Sequence, residues 1–228
     1  MPDRDHIRRN AKRGIGARTI RPLAVTALLL SATPAQAEEN ALELWFNPVV
    51  RKAIDARTTV EFDSAQRLRD GNAESTFFVR GWLFRKLGSG VTAGVAAERR
   101  WDGPVREVRL LQHLSYALGP VKMRSRLEQR FLSNAPQTSW RLRQRVGTSI
   151  PLGKSQWSGL VHAEGFFVLR APQPEGPTGL TIVRTLVGVE RKYGQADLTL
   201  GYLRQQSIRR NAPDRVGHAP FIGIAINL

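Results

Sequence analysis

The chain has 228 residues and no cysteine, and its 35 lysines and arginines against 19 acidic residues give it a net charge of +16. Without cysteine it has neither a disulfide framework nor a thiolate that could ligate a metal or act as a nucleophile. The length fits one domain, and the basic balance favours an anionic partner, of which nucleic acid and lipid headgroups are the common classes.

The first 37 residues have the pattern of a secretory signal peptide. Arginines and lysines come first, the apolar run L-A-V-T-A-L-L-L follows, and the segment ends in Ala35-Gln36-Ala37. This run is far shorter than the roughly 20 residues that a membrane-spanning helix needs. We therefore expect cleavage after Ala37 and export of the chain, which argues against nucleic acid as a partner.

Residues 38–56 give a mixed signal. Leu42, Leu44, Phe46 and Val50 are spaced as in a β-strand. Pro48, however, is tolerated in a sheet only near an edge or a strand end. We expect this N-terminal segment to lie in the periplasm, to enter a barrel interior, or to pair with a strand that the sequence does not reveal.

Residues 57–228 predict an all-β domain. Short strand-like segments alternate with turn signals at nearly even spacing, which is typical of sandwiches and barrels. Tight turns alternate with long loops, as at the two rims of an up-and-down outer-membrane barrel. We predict ten antiparallel strands, or twelve if the N-terminal segment belongs to a further pair, with both termini at the short-turn rim. The ten predicted strands are 57–66, 76–86, 91–101, 105–118, 121–132, 140–150, 156–169, 180–193, 196–206 and 218–228.

The alternation is strongest between Val121 and Ile150, where charged residues fall on every second position. In a strand these side chains share one face and the apolar ones share the other. A transmembrane barrel satisfies both faces, because its outside meets lipid and its interior is polar. The predicted interior charge network consists of Arg124, Arg126, Glu128, Arg130, Arg141, Arg143 and Arg145.

Aromatic residues on the outward register lie at strand ends. Membrane barrels carry aromatic girdles at the two lipid–water interfaces. The same pattern fits aromatic core residues of a periplasmic sandwich, but the strand-end placement favours the membrane. The predicted interface aromatics are Trp101, Tyr116, Trp140, Trp157 and Tyr193.

Several motifs resemble DUF2490, a bacterial family of exported β-barrel proteins of unknown function. They include R-S-R-L-E-Q-R-F at 124–131, W-R-L-R-Q-R at 140–145, V-G-V-E-R-K-Y at 187–193 and L-G-Y-L-R-Q at 200–205. The resemblance covers most of the mature chain and departs from the family pattern in its N-terminal third. It implies an outer-membrane barrel and no particular activity.

Three functions fit the predicted interior. In the first, arginines and carboxylates form a salt-bridged plug or bind an anionic ligand, since arginine recognises carboxylate and phosphate in a bidentate manner. In the second, the interior is a small anion-selective pore. In the third, the barrel is a lipid-modifying hydrolase, for which His113, His162 and Glu164 are the candidate catalytic residues.

We expect the first function, in the bacterial outer membrane and without catalysis. No His or carboxylate cluster has metal-ligand spacing and no glycine motif indicates a nucleotide, so we expect neither a metal nor a cofactor. The expected partners are outer-membrane lipids, including anionic glycolipid headgroups, and an anionic solute.

Overall fold

The computed structural model describes the backbone of residues 39–69, 75–210 and 212–228, with side chains from Leu42 onward. The predicted signal peptide lies outside the described residues. The strands form one closed barrel in which sequence neighbours pair. They are β1 (Glu39–Ala53), β2 (Thr58–Arg69), β3 (Thr76–Gly88), β4 (Val91–Asp102), β5 (Val105–Leu118), β6 (Val121–Leu132), β7 (Ser139–Pro151), β8 (Trp157–Arg170), β9 (Gly179–Tyr193), β10 (Ala196–Ser207) and β11 (Arg215–Asn227).

The period-two pattern of the sequence forms the two faces of the barrel wall. On β5, Glu107, Arg109 and Leu111 are at most 4 % exposed, whereas Leu110 and Leu114 are 43 % and 42 % exposed. Successive side chains of a strand point to opposite faces, so the charged face is the interior of the closed sheet. The exposed outer face is largely aliphatic, and this arrangement confirms the all-β barrel prediction.

The two rims of the barrel differ in the length of their connections. The short-turn rim carries 54–57, 89–90, 119–120, 152–156 and 194–195, and the long-loop rim carries 70–75, 103–104, 133–138, 171–178 and 208–214. At the short-turn rim Gly119 and Gly194 have φ of 57° and 59°. This left-handed conformation, which two-residue hairpins require, suits glycine.

Several details of the predicted topology are wrong. The barrel has eleven strands rather than ten, and it begins at Glu39 rather than at residue 57, because the N-terminal segment forms β1. β1 pairs in parallel with β11 and antiparallel with β2, so the sheet is not purely antiparallel. With an odd strand count, β1 starts at the long-loop rim and β11 ends at the short-turn rim, and the predicted placement of both ends at one rim fails.

Pro48 sits in the middle of β1, where a proline removes a ladder hydrogen bond. Its β2 neighbour would be Ser64, between the pairs Phe46↔Gln66 and Val50↔Phe62. The backbone N–H and C=O groups of even-numbered β1 residues point toward β2. The Ile54 N–H just after β1 shows this, because it donates to the Thr58 carbonyl at 2.9 Å. Pro48 has no N–H for the Ser64 carbonyl, and the Asn47 side-chain amide donates to that carbonyl instead. This substitute bond lets the strand continue through proline.

The interior contains only a small apolar cluster. It is formed by Trp45, Leu186, Leu203 and Ala219, with Leu160 and Phe221 packed against it. Charged and polar side chains occupy most other buried interior positions. Among the described residues, no helix is long and apolar enough to cross a membrane.

Candidate functional site

Glu128, on β6, is completely buried and holds the centre of a set of ion pairs. Its carboxylate accepts hydrogen bonds from Arg141 Nε at 2.8 Å and from Arg143 Nη1 at 3.0 Å. Arg141 Nη2 adds a further bond, and Arg109 Nη1 lies 3.9 Å away. Three arginines from β5 and β7 therefore converge on one carboxylate.

Glu164, on β8, is the second centre. Its carboxylate accepts hydrogen bonds from Arg143 Nη2 at 2.8 Å and from Arg143 Nε at 3.1 Å. Arg124 of β6 also donates to it, and Arg184 of β9 lies 3.7 Å away. Because Arg143 bonds to both Glu128 and Glu164, it joins the two centres.

The ion pairs continue around the barrel wall. Arg109 Nη1 lies 3.2 Å from Glu98, and Arg80 bridges Glu98 at 3.0 Å to Asp63 at 2.7 Å. The result is an unbroken series from β2 to β9, which we call the charge belt: Asp63, Arg80, Glu98, Arg109, Glu128, Arg143, Glu164 and Arg184. Glu107 extends it toward the long-loop rim by binding Arg109 and Arg130, each at 2.6 Å.

Aromatic rings contact interior arginines, including two, Arg126 and Arg67, that make no ion pair with a described residue. Arg126 is 5 % exposed and makes no ion pair within the described chain, but its guanidinium lies 4.6 Å from the Trp82 ring centroid. Arg184 lies 4.6 Å from the ring of Trp45 on β1, and Arg67 of β2 lies 3.8 Å from that same ring. Cation–π contacts of this kind favour a desolvated guanidinium. Through the Trp45 ring of β1 they also link Arg184 of β9 to Arg67 of β2.

A cavity of about 860 Å³ occupies the short-turn half of the interior. Its wall includes Arg124 and Arg145, next to the belt, and reaches the rim at Gly90 and Gln156 in the turns. We call this cavity the vestibule. The charge belt lies between the vestibule and the long-loop rim, so the two ends of the interior are separated by paired charges.

Cations without an ion pair line the vestibule. Arg145, Lys122 and Lys192 lie in its wall, and none of them makes a hydrogen bond or ion pair with another described residue. Among the described residues the wall has six lysines and arginines and two carboxylates; Asp197 lies 3.7 Å from Arg51, and Glu190 keeps its negative charge while accepting the Ser149 hydroxyl. The vestibule is therefore electropositive, as a site for an anion requires.

Two of the three candidate catalytic residues lie in the wall of the vestibule. His113 and His162 both line the vestibule, whereas Glu164 is held by its arginines. His113 packs edge-on against Trp82 and Phe84, with ring centroids 5.5 and 5.1 Å away. In the described chain neither histidine hydrogen-bonds to a serine or a carboxylate, which a triad needs. Among all the residues that the structure describes, no three His, Asp or Glu side chains lie together as a metal site would require.

The predicted interface aromatics lie near the two rims. Trp101 and Trp140 lie near the long-loop rim, and Tyr116, Trp157 and Tyr193 lie near the short-turn rim. Tyr193 is 74 % exposed, and Trp101 stacks on Phe77 at 5.5 Å.

The seven residues of the predicted charge network do not all make ion pairs. Arg124, Arg141 and Arg143 pair with Glu128 and Glu164, while Arg130 pairs with Glu107. Arg126 and Arg145 make no ion pair with a carboxylate of the residues that the structure describes. Asp63, Arg80 and the interior tryptophans Trp45 and Trp82 were not predicted as site residues. Period-two alternation on β1, β2 and β3 is the signal that could have identified them.

Comparison with known proteins agrees with the motifs. The profile of a family described as "Protein of unknown function (DUF2490)" matches residues 42–216, which confirms the resemblance. No curated protein sequence matches the chain. Among solved structures, LpxR from Salmonella typhimurium is similar with a TM-score of 0.44 at 9% identity, over 74% of this chain and 83% of that one. This likeness is too weak to bear on function.

Proposed function

We propose a function for this chain, which belongs to the DUF2490 family of proteins of unknown function: it is an outer-membrane β-barrel that binds a small anionic solute in its vestibule. The observation that carries the proposal is the electropositive vestibule beside the charge belt. Separate observations support membrane insertion, anion binding, and binding rather than conduction.

Membrane insertion is supported by the outer face of the barrel. Aliphatic side chains such as Leu83, Val95 and Val187 are 49 %, 55 % and 56 % exposed, which is costly in water and favourable in lipid. The aromatic residues near both rims fit interfacial girdles. The N-terminal 37 residues, with their signal-peptide pattern, would supply the route for export.

Anion binding is supported by the unpaired cations of the vestibule. A guanidinium or ammonium group without a counter-charge attracts a carboxylate or phosphate, and arginine binds either in bidentate fashion. The volume of about 860 Å³ is within the usual range of small-molecule sites, about 300–1,000 Å³. Short turns face the periplasm in outer-membrane barrels, so the solute would enter from there.

Binding is favoured over conduction because of the charge belt. An open pore needs a continuous aqueous path, whereas here the belt carboxylates Glu98 and Glu128 are 2 % and 0 % exposed, so the interior at the level of the belt is closely packed. The belt arginines also have carboxylates or rings as partners, so they are poorly placed to pass anions from site to site. We therefore expect a silent barrel in planar bilayers, and discrete anion-selective steps would replace our proposal by the pore function.

Arg145 is the residue that tests the binding site. The full chain is expressed, and the barrel is purified from outer-membrane fractions after its heat-modifiable migration on gels is checked. Calorimetric titration with inorganic phosphate at constant ionic strength then compares the wild type with Arg145→Gln. Loss of one charge-assisted contact is worth about 1.5–3 kcal/mol, so affinity should fall about 10- to 100-fold.

The matched control is Arg99→Gln. Arg99 faces outward and lies 5.8 Å from the Trp101 ring centroid, so its loss removes the same charge without touching the vestibule. Phosphate affinity should stay within twofold of wild type. Equal losses in the two variants, or no saturable phosphate binding by the wild type, would refute the vestibule as an anion site.

A further inference from the structure

The wall of the vestibule has an apolar side as well as a cationic one. Leu160 of β8, Leu186 of β9 and Phe221 of β11 all lie in this wall. Leu186 belongs to the small apolar cluster of the interior, and Leu160 and Phe221 pack against that cluster. We call these three residues the apolar ledge.

The apolar ledge and the cations of the wall are close enough for one small molecule to touch both. Strand pairing sets Lys122 beside Gly147 and Gly147 beside His162. His162 lies in turn beside Leu186. Neighbouring strands are about 4.8 Å apart, so about 14 Å of wall separates Lys122 from Leu186. Both side chains point into the interior, and the gap that remains between them suits a small organic molecule.

Part of the apolar ledge is exposed inside the vestibule. Leu160 and Phe221 are only half-buried, and both belong to the inward register of their strands, so their exposed surface faces the cavity. The Phe221 ring lies over Gly223, since a Cβ at Gly223 would be 3.0 Å from the Phe221 Cε1 atom. Gly223 is the nearer of the two to the end of β11 at the short-turn rim, so the ring extends along the vestibule wall. Apolar surface in contact with water is unfavourable, and a ligand that covers it gains affinity.

We propose that the ligand of the vestibule is an amphiphilic organic anion, in which a carboxylate or phosphate is joined to an aromatic ring or a short alkyl chain. The inference rests on the proposed anion site and names the class of anion that this site takes. Arg145 and Lys122 would hold the charged group, and the apolar group would cover the ledge. Small-molecule sites commonly combine an apolar wall with a few polar groups in this way. A wholly polar anion would leave Leu160 and Phe221 in contact with water.

Three phosphates that differ in the attached group test the class of ligand. Inorganic phosphate has no such group, glycerol phosphate carries a polar one, and phenyl phosphate carries an apolar one of similar size. Calorimetric titration of the purified wild-type barrel at constant ionic strength compares their affinities. Covering part of the ring and of the ledge should make phenyl phosphate bind about tenfold tighter than glycerol phosphate.

Phe221→Ala tests the apolar ledge itself, and Phe62→Ala is the matched control. Phe62 is 65 % exposed on the outer face of β2, so its replacement removes the same ring without touching the vestibule. With heat-modifiable migration retained, Phe221→Ala should weaken the binding of phenyl phosphate about fivefold more than that of glycerol phosphate. Phe62→Ala should keep the preference of the wild type.

The outcomes separate this inference from the proposed anion site. Saturable binding of all three phosphates with equal affinity by the wild type overturns the amphiphilic ligand and leaves the anion site standing. An equal preference for phenyl phosphate in Phe221→Ala and Phe62→Ala has the same consequence. Binding of none of the three refutes the anion site and this inference with it. The comparison of ligands on the wild type needs no variant, so it decides the matter even when Phe221→Ala fails to fold.

Discussion

Replacing Glu128 by glutamine should strongly destabilise the barrel. Glu128 is 0 % exposed and forms ion pairs with Arg141 and Arg143. Arg109 Nη1 lies 3.9 Å from its carboxylate. The substitution keeps the size of the side chain but leaves these buried guanidinium groups with one carboxylate fewer. Breaking a buried ion pair from one side costs about 3–5 kcal/mol.

The measurement is urea unfolding of the purified barrel in detergent, followed by tryptophan fluorescence. A loss of about 3 kcal/mol lowers the folding equilibrium constant about 150-fold, since 1.4 kcal/mol is a factor of ten. Glu175→Gln is the control, because Glu175 is exposed in the loop 171–178 and a substitution there should stay within about 0.5 kcal/mol. A cost below about 1 kcal/mol for Glu128→Gln would mean that water, not Glu128, balances the arginines.

Two further predictions concern local hydrogen bonds. Asn47→Ala should cost about 1 kcal/mol by removing the donor that replaces the missing N–H of Pro48. The cost should largely vanish in a Pro48→Ala background, and equal costs in both backgrounds would contradict the repair. At the long-loop rim, the pKa of Asp214 lies below its ordinary value because the Gln206 amide and the Arg209 backbone N–H donate to its carboxylate. The stability it contributes is therefore present above the ordinary pKa of aspartate and lost as pH falls through the lowered one. A carboxyl-carbon NMR titration should find that lowered midpoint, and Gln206→Leu should raise it. An ordinary midpoint in the wild type would refute this.

The fold was largely predictable because alternation is a local signal. Arg124, Arg126 and Glu128 occupy every second position of β6, so the inward face follows from the sequence alone. β1 was not assigned because Pro48 usually marks a strand end. The repair by Asn47 depends on the β2 carbonyl opposite, which a single-strand pattern does not reveal. For the same reason the parallel pairing of β1 with β11 has no local signature.

The site was less predictable than the fold. The alternation places Arg126 and Arg143 on the same face and does not distinguish them. In the structure Arg143 joins two carboxylates, whereas Arg126 stacks on Trp82 from a strand three positions away in the sheet. Which arginine finds a carboxylate depends on strand register and side-chain reach across several strands. The distances between side chains on different strands are set by the closed barrel and do not follow from the pattern of a single strand.

The difference between paired and unpaired arginines separates stability from binding. Arg145 is half-buried and makes no ion pair with a described residue, since its cross-strand neighbour Glu164 binds other arginines. It should therefore contribute little to folding or oppose it, because desolvating an unpaired charge is unfavourable. Arg145→Gln should therefore leave the free energy of unfolding unchanged or raise it, while phosphate affinity falls. Such a trade-off is typical of residues retained for function. The same urea titration checks it, and a loss comparable to that of Glu128→Gln would show that Arg145 belongs to the structural belt and not to a binding site.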